Sequence, residues 1–476
     1  MAADGAKITT IDPSTAEPLA DYNETSFEEI DTILDGAHEA AAAWRSTAPA
    51  ARAVALRRLG IALHRQRSEL ALLATNEMGK PLAESLAEVD KCAWACDWFA
   101  HHAPAMLEPV PADTDALRAE VEFEPLGVLF AIMPWNFPYW QVVRALAPAL
   151  AAGNVVVLKH APSTTGCALA LRDLVHSAGL HDGLLSVIVA GFDHTPAVSE
   201  RVITDDRVAA VTLTGSTGAG RAVAAIAGRA LKKTVLELGG SDPFVVLADA
   251  DIEAAARWAL RSRFQNTGQS CIATKRIIVE EPAASEFTER FVNLVELLRL
   301  GDPRDPDVTV GPLARADLRE ALERQVDQSV AQGARVLTGG KAPDRPGFYY
   351  EPTVLDQVVP GMPVLVDEVF GPAVPIVTAP DPASAISLAN DTTFGLGSNL
   401  WTADLDRARD LARSLQAGHT AINGMTTSDP RMPFGGIKDS DYGRELSTYG
   451  LHEFVNIHSV VVESPSGPPA NRVTIE

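Results

Sequence analysis

The chain has 476 residues, 46% hydrophobic and 21% charged, an ordinary globular composition with ample material for a buried core. A formal charge of −22 repels phosphate backbones and anionic lipid, so neither nucleic-acid nor membrane partners are expected, and no apolar run approaches the ~18 residues of a bilayer span. Four cysteines without paired spacing, and an N-terminus without an apolar signal core, point to a reducing cytoplasm.

Residues 7–20 read as an extended entry turning at Asp12-Pro13. Helical patterns follow at 27–45, 50–77 and 82–107. Ser26 and Glu29 have capping-box spacing, and Gly79 is a natural residue to end the second helix. In the third, Cys92 and Cys96 share a face, but Trp94, Trp98 and Phe99 beside them favour core packing over a metal site, so no metal is expected. Residues 117–126 alternate as a half-exposed arm before an apolar strand at 127–133.

From there strands and helices alternate. Strands at 154–159, 184–189, 208–214 and 233–238 are separated by helices at 138–152, 164–178, 194–202 and 217–229. A second alternating set opens after Pro243, with Phe244–Leu247, helix 252–263, strand 275–280 and helix 284–298, and continues to about 430. Strand-helix-strand order repeated in this way predicts an α/β fold of two doubly wound lobes.

The turn between the lobes, Phe264-Gln265-Asn266-Thr267-Gly268-Gln269-Ser270-Cys271, sets one cysteine in a small polar loop. A lone cysteine is most often a core residue; in such a turn it can also be a nucleophile. Thr214-Gly215-Ser216-Thr217-Gly218-Ala219-Gly220 joins a strand to a helix, a start suited to a pyrophosphate or simply to a tight helix entry. Glu237 ends an apolar strand before Gly239 and Gly240, as a general base or as a partner at a joint. In Met133-Pro134-Trp135-Asn136-Phe137-Pro138, Asn136 offers an amide on a rigid mount, for an oxyanion or an Asx-turn. Glu368-Val369-Phe370-Gly371-Pro372 puts an acid and a ring in one turn, for a ribose and a flat heterocycle or as a plain surface turn.

With Pro433-Phe434-Gly435-Gly436-Ile437-Lys438, these elements occur in the order found in the aldehyde dehydrogenase superfamily, which the chain resembles over residues 8–462. Leu158-Lys159-His160-Ala161-Pro162, Glu237–Phe244 and Gly443-Arg444-Glu445-Leu446 look like the bacterial succinate-semialdehyde dehydrogenases. The resemblance implies oxidation of an aldehyde, most closely succinate semialdehyde, to a free acid, with Cys271 as nucleophile, Glu237 as base for the deacylating water and Asn136 as oxyanion donor. It implies NAD or NADP held by Trp135, Lys159, Gly215, Ser216, Leu238, Glu368 and Phe370. NAD-specific relatives place a glutamate three residues after that lysine; Pro162 stands there, so both cofactors are expected, with Lys159 and His160 as positive partners for a 2′-phosphate.

For the substrate carboxylate the resemblance implies Arg144; a second arginine of some relatives is Gln265 here, and Arg431 is expected to compensate. Ala273 replaces the second cysteine of relatives with a local redox switch, so none is expected. The implied division is a cofactor domain at 1–114 and 131–239, a catalytic domain at 240–430, an oligomerisation arm at 115–130 and 447–465 that bridges a homodimer or homotetramer, and a loose tail at 466–476. Two alternatives are an enzyme for medium aliphatic or aromatic aldehydes, which Gln265 favours, and a crystallin-like structural member, which an intact Cys271, Glu237 and Asn136 disfavour.

Overall fold

The computed structural model describes residues 6–465; the expected tail lies outside the described residues. Two mainly parallel sheets form the two expected lobes. The first has strands in the order Asp441–Tyr442, Lys233–Glu237, Val208–Thr214, Val128–Met133, Val155–His160 and Leu185–Ile188. All its pairs are parallel except at Asp441–Tyr442, which returns from the far end of the chain and runs antiparallel to Lys233–Glu237. The sheet starts in its middle, at Val128–Met133, and grows first to one side and then to the other. The crevice where the order reverses lies at the carboxyl ends of Val128–Met133 and Val208–Thr214, where such sheets bind ligands. The second sheet has seven strands, from Arg335–Thr338 at one edge to His419–Ile422 at the other, with Asp242–Val246 and Thr274–Glu280 inside.

Local chemistry sets the elements where the sequence places them. Ser26 Oγ accepts from the Glu29 amide at 3.2 Å while the Glu29 carboxylate accepts from the Ser26 amide at 2.7 Å, the reciprocal capping box. Gly79 adopts φ 85° and closes helix Arg67–Met78. Helix Trp140–Ala152 is buried along its whole length, packed between the first sheet and helices Pro49–Arg65 and Leu82–Met106, which explains its near-continuous apolar sequence. Cys92 and Cys96 are fully buried in that packing, as their aromatic neighbours suggest.

A third, antiparallel sheet joins Val455–Val462 to Arg118–Pro125 and Val110–Pro111. Two of its strands lie within the segments expected to form an arm, the first in a segment shorter than expected. It ends at Pro125, because residues 128–133 are the central strand of the first sheet. A break at residue 130 would cut that strand, whose buried apolar run belongs to the sheet rather than to an alternating arm. Residues 447–452 form a short helix against helices Leu82–Met106 and Trp140–Ala152 and are likewise not arm. Among the described residues no helix is long and apolar enough to cross a membrane.

Candidate active site

The Cys271 turn is held in a conformation that its residues do not favour alone. Asn266, Thr267 and Gly268 have φ of 55°, 56° and 73°. A β-branched residue in the left-handed region costs on the order of 1–3 kcal/mol and persists only where its surroundings fix it. Both lobes do so here. From the first lobe, Glu84 accepts from the Asn266 amide at 2.6 Å, and the Asn136 carbonyl accepts from the Asn266 side chain at 2.8 Å. From the second, Gly311 donates to Thr267 Oγ1 at 3.1 Å and Ala314 donates to Gln269 Oε1 at 2.9 Å. A Cβ at Gly268 would lie 2.3 Å from the Gly371 carbonyl oxygen, so only glycine fits. Buried Lys275 donates to the carbonyls of Ser270, at 2.6 Å, and Cys271.

Cys271 is half-buried and opens on a cavity of about 370 Å³ between the lobes. Arg144 and Gln265 line the same cavity, with Phe137, Trp140 and Phe434 as aromatic walls. Burial pushes the Cys271 thiol up to about 12; Lys275 and Arg144 pull it down, and Glu237 and Glu368 push it further up. Cys92, Cys96 and Cys167 are fully buried, and their thiols are raised by burial first.

Asn136 Nδ2 donates to the Gln269 carbonyl at 3.1 Å, which holds the amide beside the Cys271 turn and leaves its second N–H without a described acceptor. The backbone N–H of Cys271 also has no described acceptor. Two donors beside the sulfur are what an oxyanion requires.

Glu237 ends its strand, is 2% exposed, and neither carboxylate oxygen has a hydrogen-bond partner among the described residues. Burial, then repulsion from Asp441, raises its pKa well above 4.5. Asp441 and Glu445 are each pushed up to about 7, so three carboxyls crowd one pocket. Arg144 answers them. It forms a buried ion pair with Glu445, donates to Thr214 Oγ1 at 3.1 Å and lies 4.8 Å from the Phe434 ring. No local pattern signals the Glu445 partnership, because Glu445 lies 301 positions later in the chain, on the returning segment.

The expected cofactor residues gather at the carboxyl ends of the first sheet. Ser216 caps helix Thr217–Arg229, accepting from the Ala219 amide at 3.3 Å. The Trp135 and Phe370 rings meet edge to face at 5.7 Å. Glu368 accepts from the Gly240 amide at 3.0 Å and lies 3.7 Å from Lys275 Nζ. A Cβ at Gly220 would overlap Leu238, so that glycine lets Leu238 close over the start of the helix. Two polar groups there lack partners: Ser163 Oγ is buried without a hydrogen bond, and Lys159 Nζ, 4% exposed, makes no hydrogen bond or ion pair among the described residues. A buried ammonium without an acceptor fits an acceptor-rich ligand such as a ribose or phosphate.

Two expectations need correction. His160 is not a positive partner. It is buried, Pro138 O lies 2.9 Å from Nε2 and Thr164 Oγ1 lies 3.0 Å from Nδ1, and desolvation pushes its pKa down to about 4. Arg431 does not compensate for Gln265. It lies outside the cavity, exposed, and is paired with Asp429 at 2.6 Å.

The profile described as "Aldehyde dehydrogenase family" matches residues 1–460. The chain is 48% identical over 451 residues to a succinate semialdehyde dehydrogenase (NAD(P)+) of Escherichia coli strain K12, covering 95% of this chain and 97% of that one. It is 45% identical to a succinate-semialdehyde dehydrogenase (NADP(+)) of Mycobacterium bovis, covering 95% and 99%. The solved structure of succinic semialdehyde dehydrogenase from Streptococcus pyogenes in complex with NADP+ superposes with a TM-score of 0.93 at 36% identity, covering 96% and 100%. With a family profile matching nearly the whole chain and relatives 45–48% identical over 95% of it, the chain belongs to the aldehyde dehydrogenase family.

Proposed function

We propose that this enzyme oxidises succinate semialdehyde, or a similar short aldehyde with a distal carboxylate, to the corresponding acid using NAD or NADP. The observation that carries the reading is that Cys271 opens on a cavity whose wall also carries cations, Arg144 and Lys91.

Trp135, Lys159, Gly215, Ser216, Leu238, Glu368 and Phe370 would hold the dinucleotide. When bound, it supplies the acceptor for the hydride that leaves the aldehyde carbon. Cys271 Sγ passes its proton to water in the open cavity as it bonds to that carbon, and the carbonyl oxygen gains charge beside Asn136 Nδ2 and the Cys271 N–H. Loss of the hydride leaves a thioester on Cys271. Glu237 in its ionised form takes a proton from water, the water oxygen bonds to the acyl carbon, the C–S bond breaks, and the acid departs. Because burial raises the pKa of both the thiol and the Glu237 carboxyl, the rate should rise with pH.

The reading includes a homodimer or homotetramer in a reducing cytoplasm. In its favour are four free cysteines and an edge strand, Val455–Val462, whose Ile457, Val461 and Val462 are exposed. The test is kcat/KM for succinate semialdehyde and for hexanal with each cofactor, followed by absorbance of the reduced nicotinamide. Preference for the acidic aldehyde is expected. Preference for hexanal would replace this substrate with a medium aliphatic one.

A further inference from the structure

The wall of the cavity that carries Cys271 presents three cations: Arg144, Arg261 and Lys91. They are not equivalent. Arg144 is neutralised by its buried ion pair with Glu445. Arg261 is exposed, so water already solvates its guanidinium. Lys91 is half-buried and forms no ion pair among the described residues. The acid one turn before it on the same helix, Glu88, is already taken: it pairs with Lys80 at 2.5 Å and accepts from the amides of Tyr139 and Trp140 at 2.8 Å each.

What Lys91 does touch is informative. Its Nζ donates to Ser428 Oγ at 2.6 Å and lies 4.2 Å from the centre of the Trp140 ring. Trp140 Nε1 also donates to Ser428 Oγ, at 3.1 Å. A hydroxyl oxygen has two lone pairs and one proton. Both acceptor positions of Ser428 are filled, so its own proton must be donated, and no described residue accepts it. An ammonium with spare protons beside a hydroxyl obliged to donate is a ready site for a carboxylate, which only accepts.

We infer that Lys91, with the Ser428 hydroxyl it orients, anchors the distal carboxylate of the substrate and so selects acidic aldehydes, in place of the cation missing at Gln265. This rests on the function proposed above. The charged and titratable groups facing Lys91 are Glu88 and Cys92 on its own helix, Arg144 on the buried helix and Asp429 on the loop after Ser428. Burial first, then Arg144, lowers the Lys91 ammonium to about 8. Its charge, and with it the preference, should therefore fade as pH rises through about 8.

The test is the ratio of kcat/KM for succinate semialdehyde to that for butanal, in the unaltered enzyme and in Lys91→Met. Butanal in the same preparation is the internal reference for folded enzyme. A lost charge-assisted hydrogen bond corresponds to roughly a ten- to hundredfold fall in the ratio, carried by KM. Succinate should quench the fluorescence of Trp140, which stacks on Lys91, and its dissociation constant should rise at least about tenfold in the variant. If the unaltered enzyme has no preference, the substrate reading falls and this inference with it. If the preference exists and Lys91→Met keeps it, the inference alone is overturned. Should that variant not fold, the unaltered protein decides: a ratio that stays level between about pH 6.5 and about 9.5 overturns the role of Lys91.

Discussion

Replacing Glu237 with glutamine removes the most costly protonation in the site while keeping its shape. The carboxyl is buried, and its pKa lies well above 4.5 for that reason first. Between the unfolded and the folded pKa, the folded state keeps a proton that the unfolded state has released. The full contribution of this group to stability is therefore present only below about 4.5, and it is lost as pH rises toward the folded value. The slope for one proton is about 1.4 kcal/mol per pH unit. Glutamine has no proton to keep. In urea unfolding of both proteins at several pH values, the variant should gain on the parent as pH rises above about 4.5, by at most about 1.4 kcal/mol per pH unit. Asp441 and Glu445, both near 7, are coupled to Glu237, so the difference between the curves reports the three-carboxyl cluster that Glu237 completes. The same variant should lose roughly 10²–10⁴-fold in steady-state rate yet keep a single-turnover burst of reduced cofactor, because only thioester hydrolysis needs the base. A pH-independent stability difference, or loss of the burst together with the rate, would refute the reasoning.

Asn136→Ala should lower kcat by about 10²–10³-fold, the value of one oxyanion donor, with little change in KM; stopped-flow kinetics would check that the loss lies in acylation. Pro162→Glu adds a carboxylate three residues after Lys159, and should depress kcat/KM for NADP at least about tenfold relative to NAD by repelling a 2′-phosphate. Arg144→Met leaves Glu445 buried without its partner, and calorimetry should find a protein weaker by about 3–5 kcal/mol near neutral pH. Glu445→Gln in the same background should recover most of that loss.

Cys271 is legible as a lone thiol in a polar turn before Thr274–Glu280, and other residues of the site are readable because they lie at or just after strand ends. Asn136 follows Val128–Met133, Ser216 follows Val208–Thr214, and Glu237 closes its own strand. An apolar run ending in a turn with a polar side chain marks such positions locally, and one parallel sheet brings all the strand ends to the same face. The substrate half is not readable in this way. Lys91 lies on a helix whose pattern announces a core face, and Ser428 lies 337 residues further on, in a loop without a motif of its own. Arg431, three residues beyond Ser428, has the expected chemistry but its own neighbour Asp429 holds it outside. Spacing along the chain cannot tell a cation facing a cavity from one satisfied at the surface. For the same reason His160 looks cationic in sequence, whereas its buried ring is neutral.

The charges around Cys271 also bear on how the nucleophile is kept until it is needed. With the thiol held at about 12, only about one molecule in 10⁵ carries the thiolate at pH 7, against a few per cent for a free cysteine. Desolvation contributes most, and Glu237 and Glu368 add to it. The resting sulfur is thus shielded from adventitious electrophiles and oxidants, which attack thiolates. Whatever ends the shielding must change those contributions: cofactor drawing Glu368 toward its hydroxyls would remove one negative neighbour, while Lys275 and Arg144 stay in place to favour the thiolate. Alkylation by iodoacetamide reads this directly, since the other three thiols are fully buried. The rate should be slow at pH 7, rise about tenfold per pH unit, and increase when NADP is bound. A rate that is fast at pH 7 and indifferent to pH would mean that the thiolate already exists at rest, and that the buried carboxyls do not restrain it.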